Sequence, residues 1–170
     1  DDVRAIAEEA SAPGVCSVAN DNSPGQVVVS GALAAVERAA ELAKEKGAKR
    51  AMMLPVSAPF HCSLMQAAAD AMAAALETTT IQAPVVPIIA NVTARPETTP
   101  ESIRTLLVEQ VTATVRWRES MAALRDSDIN TVTELGTGKV LSGLVRRIDR
   151  DLQASSIETP ADIESFLNTI

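Results

Sequence analysis

Hydrophobic residues in the first sixty positions follow two different spacings. In 1–11 and 32–46 they recur every three or four residues, which places them on one face of an α-helix. In 15–19, 26–30 and 49–54 they form short β-branched or continuously apolar runs, which favours β-strands. Turn-forming residues between the first two strands predict a hairpin with a long loop. The order helix, strand, strand, helix, strand is that of a ferredoxin-like unit whose first strand is missing.

From residue 61 onward the pattern changes to helices that alternate with single strands. Helices are predicted at 62–77, 99–110, 117–124, 140–148 and 160–170, and strands at 83–91, 129–135 and 154–157. Strands separated by helices are typical of a parallel sheet. The sequence therefore predicts an α/β fold that divides near residue 60.

Composition excludes several classes of function. The formal net charge of the 170 residues is -7, whereas a nucleic-acid-binding protein needs a basic face to neutralise phosphates. Two cysteines cannot form a disulfide framework, and one cysteine with one histidine supplies too few ligands for a zinc site. The sequence has no signal peptide and no apolar run long enough to cross a bilayer. We expect a cytoplasmic protein with no metal, no nucleic-acid partner and no membrane partner.

The single histidine, His61, lies between a predicted strand and a predicted helix. A side chain at such a junction points out of the end of a sheet, where open α/β folds bind ligands. Pro55 and Pro59 restrict the backbone beside it, and a rigid loop that aims an imidazole at a cleft is what a general base requires. A hydrogen-bonded structural histidine is the alternative. We interpret His61 as the chemical centre.

Two other motifs suggest chemistry that their spacing argues against. Cys62 is adjacent to His61, but neighbouring residues on a helical turn do not face each other, so we predict a buried thiol and no nucleophile. The segment 136–139 (GTGK) has one residue between its glycines, whereas a phosphate-binding loop needs four. We predict a tight turn from strand to helix.

Two polar segments have either a solvated or a binding interpretation. The loop 20–26 is a solvated hairpin turn or the rim of a ligand site, in which Asn22 and Ser23 would contact a polar substrate. Lys49 and Arg50 are a solvated pair or a docking site for an anionic partner.

Six motifs occur along the chain in a fixed order: NDNSPGQVVVSG at 20–31, GAKR at 47–50, LPVSAPFHCSLM at 54–65, PIIANV at 87–92, VRW at 115–117 and ELGTGKVLSGL at 134–144. Together they resemble the malonyl-CoA:acyl carrier protein transacylase family of fatty-acid synthesis. The resemblance extends over essentially all 170 residues and is most specific around His61.

The resemblance implies a Ser-His enzyme that works by a ping-pong mechanism. A serine attacks the malonyl thioester of coenzyme A, and the phosphopantetheine thiol of acyl carrier protein then attacks the malonyl-serine. His61 matches the family's base, and Gln110 matches the residue whose backbone carbonyl orients the imidazole. A base held in one tautomer by an acceptor behind it follows the logic of a catalytic triad.

The resemblance also implies the remaining features of the enzyme. Malonyl-CoA is the substrate, no further cofactor is expected, and acyl carrier protein would dock at Lys49 and Arg50. The whole enzyme is expected to be a monomer in which 1–60 form a ferredoxin-like subdomain and 61–170 the C-terminal part of an α/β-hydrolase-like core. The candidate substrate-binding residues are Phe60, Asn22, Ser23 and Asn91.

The sequence departs from the family pattern at the nucleophile. No Gly-X-Ser-X-Gly occurs in the 170 residues, and the family's Gly-Gln-Gly stretch and malonyl-binding arginine are also missing. We expect a C-terminal segment that supplies the base without the serine. An acyltransferase for another acyl group in polyketide synthesis and a non-catalytic module that binds carrier protein or coenzyme A remain alternatives.

Overall fold

The computed structural model describes residues 2–168, which form helices and short strands in mixed order. The helices are α1 Asp2–Ala10, α2 Leu33–Glu45, α3 Gln66–Glu77, α4 Pro100–Glu109, α5 Trp117–Arg125, α6 Val140–Ile148 and α7 Pro160–Leu167. The strands are β1 Cys16–Ser23, β2 Gln26–Gly31, β3 Ile88–Ala90, β4 Arg95–Glu97, β5 Thr131–Leu135 and β6 Gln153–Ile157. Every predicted helix is present, and the last predicted residues of α7 lie outside the described range.

The chain divides into two compact units. The first comprises the residues up to Asn22 together with Gln26–Trp117, and the second comprises Ser23–Gly25 together with the chain from Arg118 onward. The division predicted near residue 60 from sequence stays a prediction.

Small residues form the core of the first unit. Helices α1 and α2 pack on each other because alanines at their interface allow close approach; Ala10 and Ala35 are completely buried. The buried cluster comprises Ile6, Ala7, Ala10, Cys16, Ala35, Ala39 and Leu42. Gly31 ends β2 beside the chain at Val15, where a Cβ would lie 1.9 Å from the Val15 carbonyl oxygen. A residue with a side chain therefore cannot occupy this position without displacing the backbone.

Three strand predictions need correction. Residues 49–54 form no strand, and Met52, Met53 and Leu54 are 44–55% exposed. An apolar run favours an extended backbone, but a strand also needs a hydrogen-bonding neighbour, and the described residues provide none here. The strand predicted at 83–91 is confined to β3, since hydrogen bonding begins only after Pro87.

The third correction concerns the hairpin. Strand β1 continues through the polar residues 20–23, so β1 and β2 are joined by only Pro24 and Gly25 and not by a long loop. Strand β4 was not predicted at all. It pairs antiparallel with β3, and the described strands form three two-stranded sheets instead of one parallel sheet.

The second unit contains the predicted parallel pairing. Strands β5 and β6 are parallel, with Thr131 beside Gln153 and Leu135 beside Ile157, and α6 connects them. The carboxylate of Glu134 accepts hydrogen bonds from the N–H groups of Leu141 (3.1 Å) and Ser142 (2.8 Å) at the start of α6. These bonds, the Ser142 bond foremost, lower the pKa of Glu134. Two amides at the start of α6 are therefore occupied by a carboxylate of the protein, which agrees with the prediction that 136–139 is a turn.

No helix within residues 2–168 combines the length and apolar composition needed to cross a bilayer. No group of three or more histidine, cysteine, aspartate or glutamate side chains in the same range is arranged to hold a metal ion.

Candidate active site

The backbone at His61 adopts an unusual conformation. Its φ angle is 61°, in the left-handed region that residues other than glycine rarely occupy. This conformation costs about 1–2 kcal/mol and ends the extended segment before the short 3-10 turn Ser63–Met65. Strain held at one position by its surroundings is a reason to look for function there.

The imidazole of His61 is oriented by the end of helix α4. Its Nδ1 lies 3.0 Å from the backbone carbonyl oxygen of Gln110. A carbonyl oxygen can only accept a hydrogen bond, so Nδ1 carries a proton, and in the neutral imidazole Nε2 then holds the lone pair. His61 and Gln110 meet because α3, which follows His61, packs against α4, which precedes Gln110. The Arg104 guanidinium on α4 also donates to the Thr79 carbonyl just after α3 at 3.0 Å, which links the two helices.

The side chain of Gln110 is held by a second segment. Its Oε1 accepts a hydrogen bond of 2.9 Å from Nδ2 of Asn91. Asn91 follows β3 and begins the turn 91–94 that leads into β4, a turn closed by the Ala94 N–H to the Ala90 carbonyl at 2.8 Å. Three segments far apart in sequence are therefore joined through one glutamine.

Arg116 fixes the turn that carries Asn91. Its backbone N–H donates to the Asn91 carbonyl at 3.2 Å, and its guanidinium Nη1 donates to the carbonyls of Val92 (3.1 Å) and Thr93 (3.2 Å). A charged donor gives stronger hydrogen bonds than a neutral one. The turn needs such support because Ala94 has a φ of 53°.

Strand β1 anchors the segment that contains Arg116. The Val115 N–H donates to the Ala19 carbonyl at 2.8 Å, and the Asp21 N–H donates to the Val115 carbonyl at 2.9 Å. These bonds pair Asn20 with Val115 in a single parallel bridge. The arrangement that orients His61 thus begins at a strand of the first unit.

The cysteine beside the histidine is buried. Cys62 is 1% exposed, and its thiol donates to the Pro59 carbonyl at 3.1 Å. The other cysteine, Cys16, is also buried, and burial, with a smaller effect from Cys62, raises the pKa of its thiol. A buried thiol with a hydrogen-bond acceptor matches the structural interpretation of Cys62.

The other candidate residues occupy varied environments. Phe60 is 49% exposed, and Lys49 and Arg50 are exposed on the segment after α2. Within residues 2–168 neither cation forms an ion pair. Asn22 is half-buried near the end of β1, whereas Ser23 is 1% exposed and its hydroxyl has no hydrogen-bond partner in the described part of the chain. The binding roles of these residues stay predictions.

Comparison with known families identifies the chain. The acyl transferase domain family matches residues 3–158, which is most of the sequence. The chain belongs to this family.

Individual relatives of this acyl transferase domain are similar over nearly its whole length. The malonyl CoA-acyl carrier protein transacylase of Haemophilus influenzae is 48% identical over 156 residues, which are 90% of the chain and 50% of that protein. The solved acyl-carrier-protein-S-malonyltransferase of Bartonella henselae is 52% identical, with a TM-score of 0.94, and the match covers 99% of the chain and 54% of that structure. The acyl transferase domain sequence therefore spans about half the length of the relatives it matches.

A third similar structure contains a partner. It is a malonyl-transacylase in complex with a type II PKS acyl-carrier protein, 38% identical, with a TM-score of 0.94 over 99% of the chain and 54% of that structure.

Sequence reasoning missed part of this candidate site. Asn91 appeared as a candidate for substrate binding, but its bond to Gln110 was not foreseen, and Arg116 was noted only as part of a motif. An asparagine directly after a short apolar strand is a turn signal, and this signal could have placed Asn91 in a turn. Nothing local indicates that the turn lies against the end of α4.

Proposed function

We propose that this acyl transferase segment supplies the general base of a malonyl-CoA:acyl carrier protein transacylase in fatty-acid synthesis. The observation that supports the proposal most directly is the hydrogen bond from His61 Nδ1 to the Gln110 carbonyl. Because Nδ1 carries the proton, Nε2 is the basic atom. An imidazole held in that tautomer can accept a proton from a hydroxyl or thiol placed beside Nε2.

In the proposed reaction His61 carries one proton back and forth. Nε2 takes the proton of a serine hydroxyl as the oxygen attacks the malonyl thioester, and the imidazolium returns it to the departing coenzyme A thiolate. In the second half, Nε2 takes the proton of the phosphopantetheine thiol as the sulfur attacks the malonyl-serine, and returns it to the serine oxygen. The Gln110 carbonyl stabilises the imidazolium in both halves, as the third group of a triad does.

The serine is proposed to lie outside these residues. No Gly-X-Ser-X-Gly occurs in the sequence, whereas relatives about twice as long are named as transacylases. In the whole protein we propose a ferredoxin-like subdomain at 1–60 and an α/β-hydrolase-like core that includes 61–170. We further propose a cytoplasmic monomer that uses malonyl-CoA as substrate and no cofactor.

Acyl carrier protein is the proposed partner. A similar malonyl-transacylase has been solved in complex with an acyl-carrier protein. Lys49 and Arg50 are exposed cations on the segment that leads to His61. Exposed cations on this segment would attract an anionic carrier.

The test uses the complete protein that contains this segment, assayed for malonyl transfer from coenzyme A to carrier protein. His61→Asn removes the base but tolerates the left-handed backbone, since asparagine is enriched in that region. We expect His61→Asn and His61→Ala to lower kcat by at least about two orders of magnitude. The KM for malonyl-CoA should change little, because malonyl binding is assigned to other groups.

Ser63→Ala is the matched control. Ser63 is exposed and lies two residues from His61, so its removal should leave transfer intact. Near-normal transfer in both His61 variants would refute the proposal. Binding of coenzyme A or carrier protein by wild-type protein without any transfer would favour the non-catalytic module. Faster transfer of another acyl group than of malonyl would favour the polyketide-type acyltransferase.

A further inference from the structure

The backbone carbonyl that orients His61 lies where a helix can hold it least. Gln110 follows the last residue of α4, with φ -62° and ψ -20°. Carbonyls in the last turn of a helix have no intrahelical partner, so their direction depends on what else restrains the terminal residue. The Gln110 N–H still donates to the Leu106 carbonyl at 3.0 Å and the Val111 N–H to the Val108 carbonyl at 3.1 Å. The Gln110 side chain supplies a further restraint on this peptide unit.

The Gln110 side chain is restrained by Asn91. The Nδ2 to Oε1 distance is 2.9 Å, and both residues are partly buried. A side chain fixed at its far end restricts the rotation of the residue that carries it, because its rotamers depend on φ and ψ. The Asn91 amide therefore limits how far the Gln110 carbonyl can turn away from His61 Nδ1.

Asn91 can act in this way only if its own position is fixed. Its carbonyl accepts the Arg116 N–H, and the guanidinium of Arg116 binds the next two carbonyls of the turn, those of Val92 and Thr93. The Arg116 segment is in turn bonded to β1 through Val115. The path runs from a strand through a clamped turn to the end of a helix and then to the imidazole.

We propose that Asn91 is a positioning residue for catalysis, which holds the Gln110 carbonyl against His61 through the Gln110 side chain, with Arg116 fixing the turn that carries it. This inference rests on the proposed role of His61 as the base. It assigns to Asn91 a role through Gln110 in place of direct contact with malonyl-CoA.

The test is a double-mutant cycle in the complete protein, with malonyl transfer as the assay. Asn91→Ala and Gln110→Ala each remove one side of the same neutral hydrogen bond and leave the Gln110 carbonyl in the chain. Each should lower kcat by about threefold to tenfold, the range of one such bond. The KM for malonyl-CoA should stay within about twofold of wild type, since ground-state binding is not altered. The double variant should be no slower than the slower single variant, because both changes break one interaction.

Asn91→Asp separates positioning from substrate contact. If the Gln110 amide turns over, its NH₂ can donate to the new carboxylate, so the link is restored. We expect Asn91→Asp to recover most of the kcat lost in Asn91→Ala. If Asn91 instead touched malonyl-CoA, a carboxylate there would repel the substrate's negative charge and raise KM.

Thr105→Ala is the control for general damage to α4. It removes an exposed hydroxyl that donates to the Glu101 carbonyl in the same helix, so it alters α4 without touching the bond between Asn91 and Gln110, and kcat should not change. Additive losses in the double variant, a rise in KM for Asn91→Asp, or normal kcat in Asn91→Ala would each overturn the inference. Failure of the proposed function is distinguishable: transfer would then be independent of His61. If transfer depends on His61 and the two losses are additive, only the role of Asn91 is wrong.

Discussion

Replacing Phe60 with serine should relax the choice of acyl group in the complete enzyme. Phe60 directly precedes the proposed base and is 49% exposed. A benzyl side chain next to His61 would fill the space beside the α-carbon of the substrate, where methylmalonyl-CoA carries its extra methyl group.

The size of the effect follows from the exposure of the ring. Forcing an extra methyl group against packed side chains costs about 1–3 kcal/mol. A ring that is half in solvent can yield, so the lower end applies, about 1 kcal/mol or roughly fivefold in relative kcat/KM. Burying a whole phenylalanine stabilises a protein by about 1.5–3 kcal/mol, so Phe60→Ser should also cost about 1 kcal/mol of stability.

The assay compares kcat/KM for methylmalonyl-CoA and malonyl-CoA at constant carrier protein. Phe60→Ser should raise the ratio about fivefold. The matched control is Phe166→Ser, the same change at the only other phenylalanine, on α7 and 36% exposed, which should lower stability without changing the ratio. An unchanged ratio in Phe60→Ser, with lower stability, would show that Phe60 only packs against the protein.

Three further predictions follow from the charges and exposed surface. Reversing both Lys49 and Arg50 to glutamate should raise the KM for carrier protein but not for a free pantetheine acceptor; an equal effect on both acceptors would exclude docking. The Ser102 hydroxyl, and then the Thr99 and Thr98 amides, lower the pKa of Glu97 to about 2 from 4.5. The stabilisation that the Glu97 carboxylate gives the folded state is therefore complete above pH 4.5 and is lost as pH falls through about 2. The difference in urea midpoint between wild type and Glu97→Gln should narrow below pH 4.5, and a constant difference would contradict this. The 170 residues alone should transfer no malonyl groups, because they contain no Gly-X-Ser-X-Gly. They should also bind a hydrophobic dye, because many large apolar side chains are exposed. Malonyl transfer by the segment would contradict the first expectation, and a sharp melting transition without dye binding would contradict the second.

The helices were predictable because each is specified by residues close in sequence. Pro100 occupies the first turn of α4, where its missing N–H is not needed. Helix α6 begins and ends at the predicted residues, Val140 and Ile148, since its apolar spacing and the preceding glycines are all local signals. The β5–β6 pair was predictable for a related reason: two strands that flank one helix favour parallel pairing.

The strands that failed depend on distant residues. The run at 49–54 has the apolar character of a strand, but pairing is a property of two segments, and its exposed side chains show that the pattern alone does not create a partner. Strand β4, Arg95–Glu97, contains a proline and two charged residues, which argues against a strand. It forms because the clamped turn 91–94 brings it back alongside β3.

The difference between local signals and contacts of distant residues also explains how much of the candidate site could be predicted from sequence. His61 was a candidate from sequence because two prolines and the start of a helix lie within a few residues of it, but the strand that was predicted to precede it does not form. The link to Gln110 was available only through the family resemblance, because 49 residues separate the two. The Asn91 bond, 19 residues from Gln110, was available from neither source. A hydrogen bond between amide side chains needs a donor–acceptor distance near 2.9 Å. Here that distance depends on the position of the end of α4 and on the turn that Arg116 clamps. Sequence can therefore nominate a group for the chemistry, while the residues that hold that group in place become visible only in three dimensions.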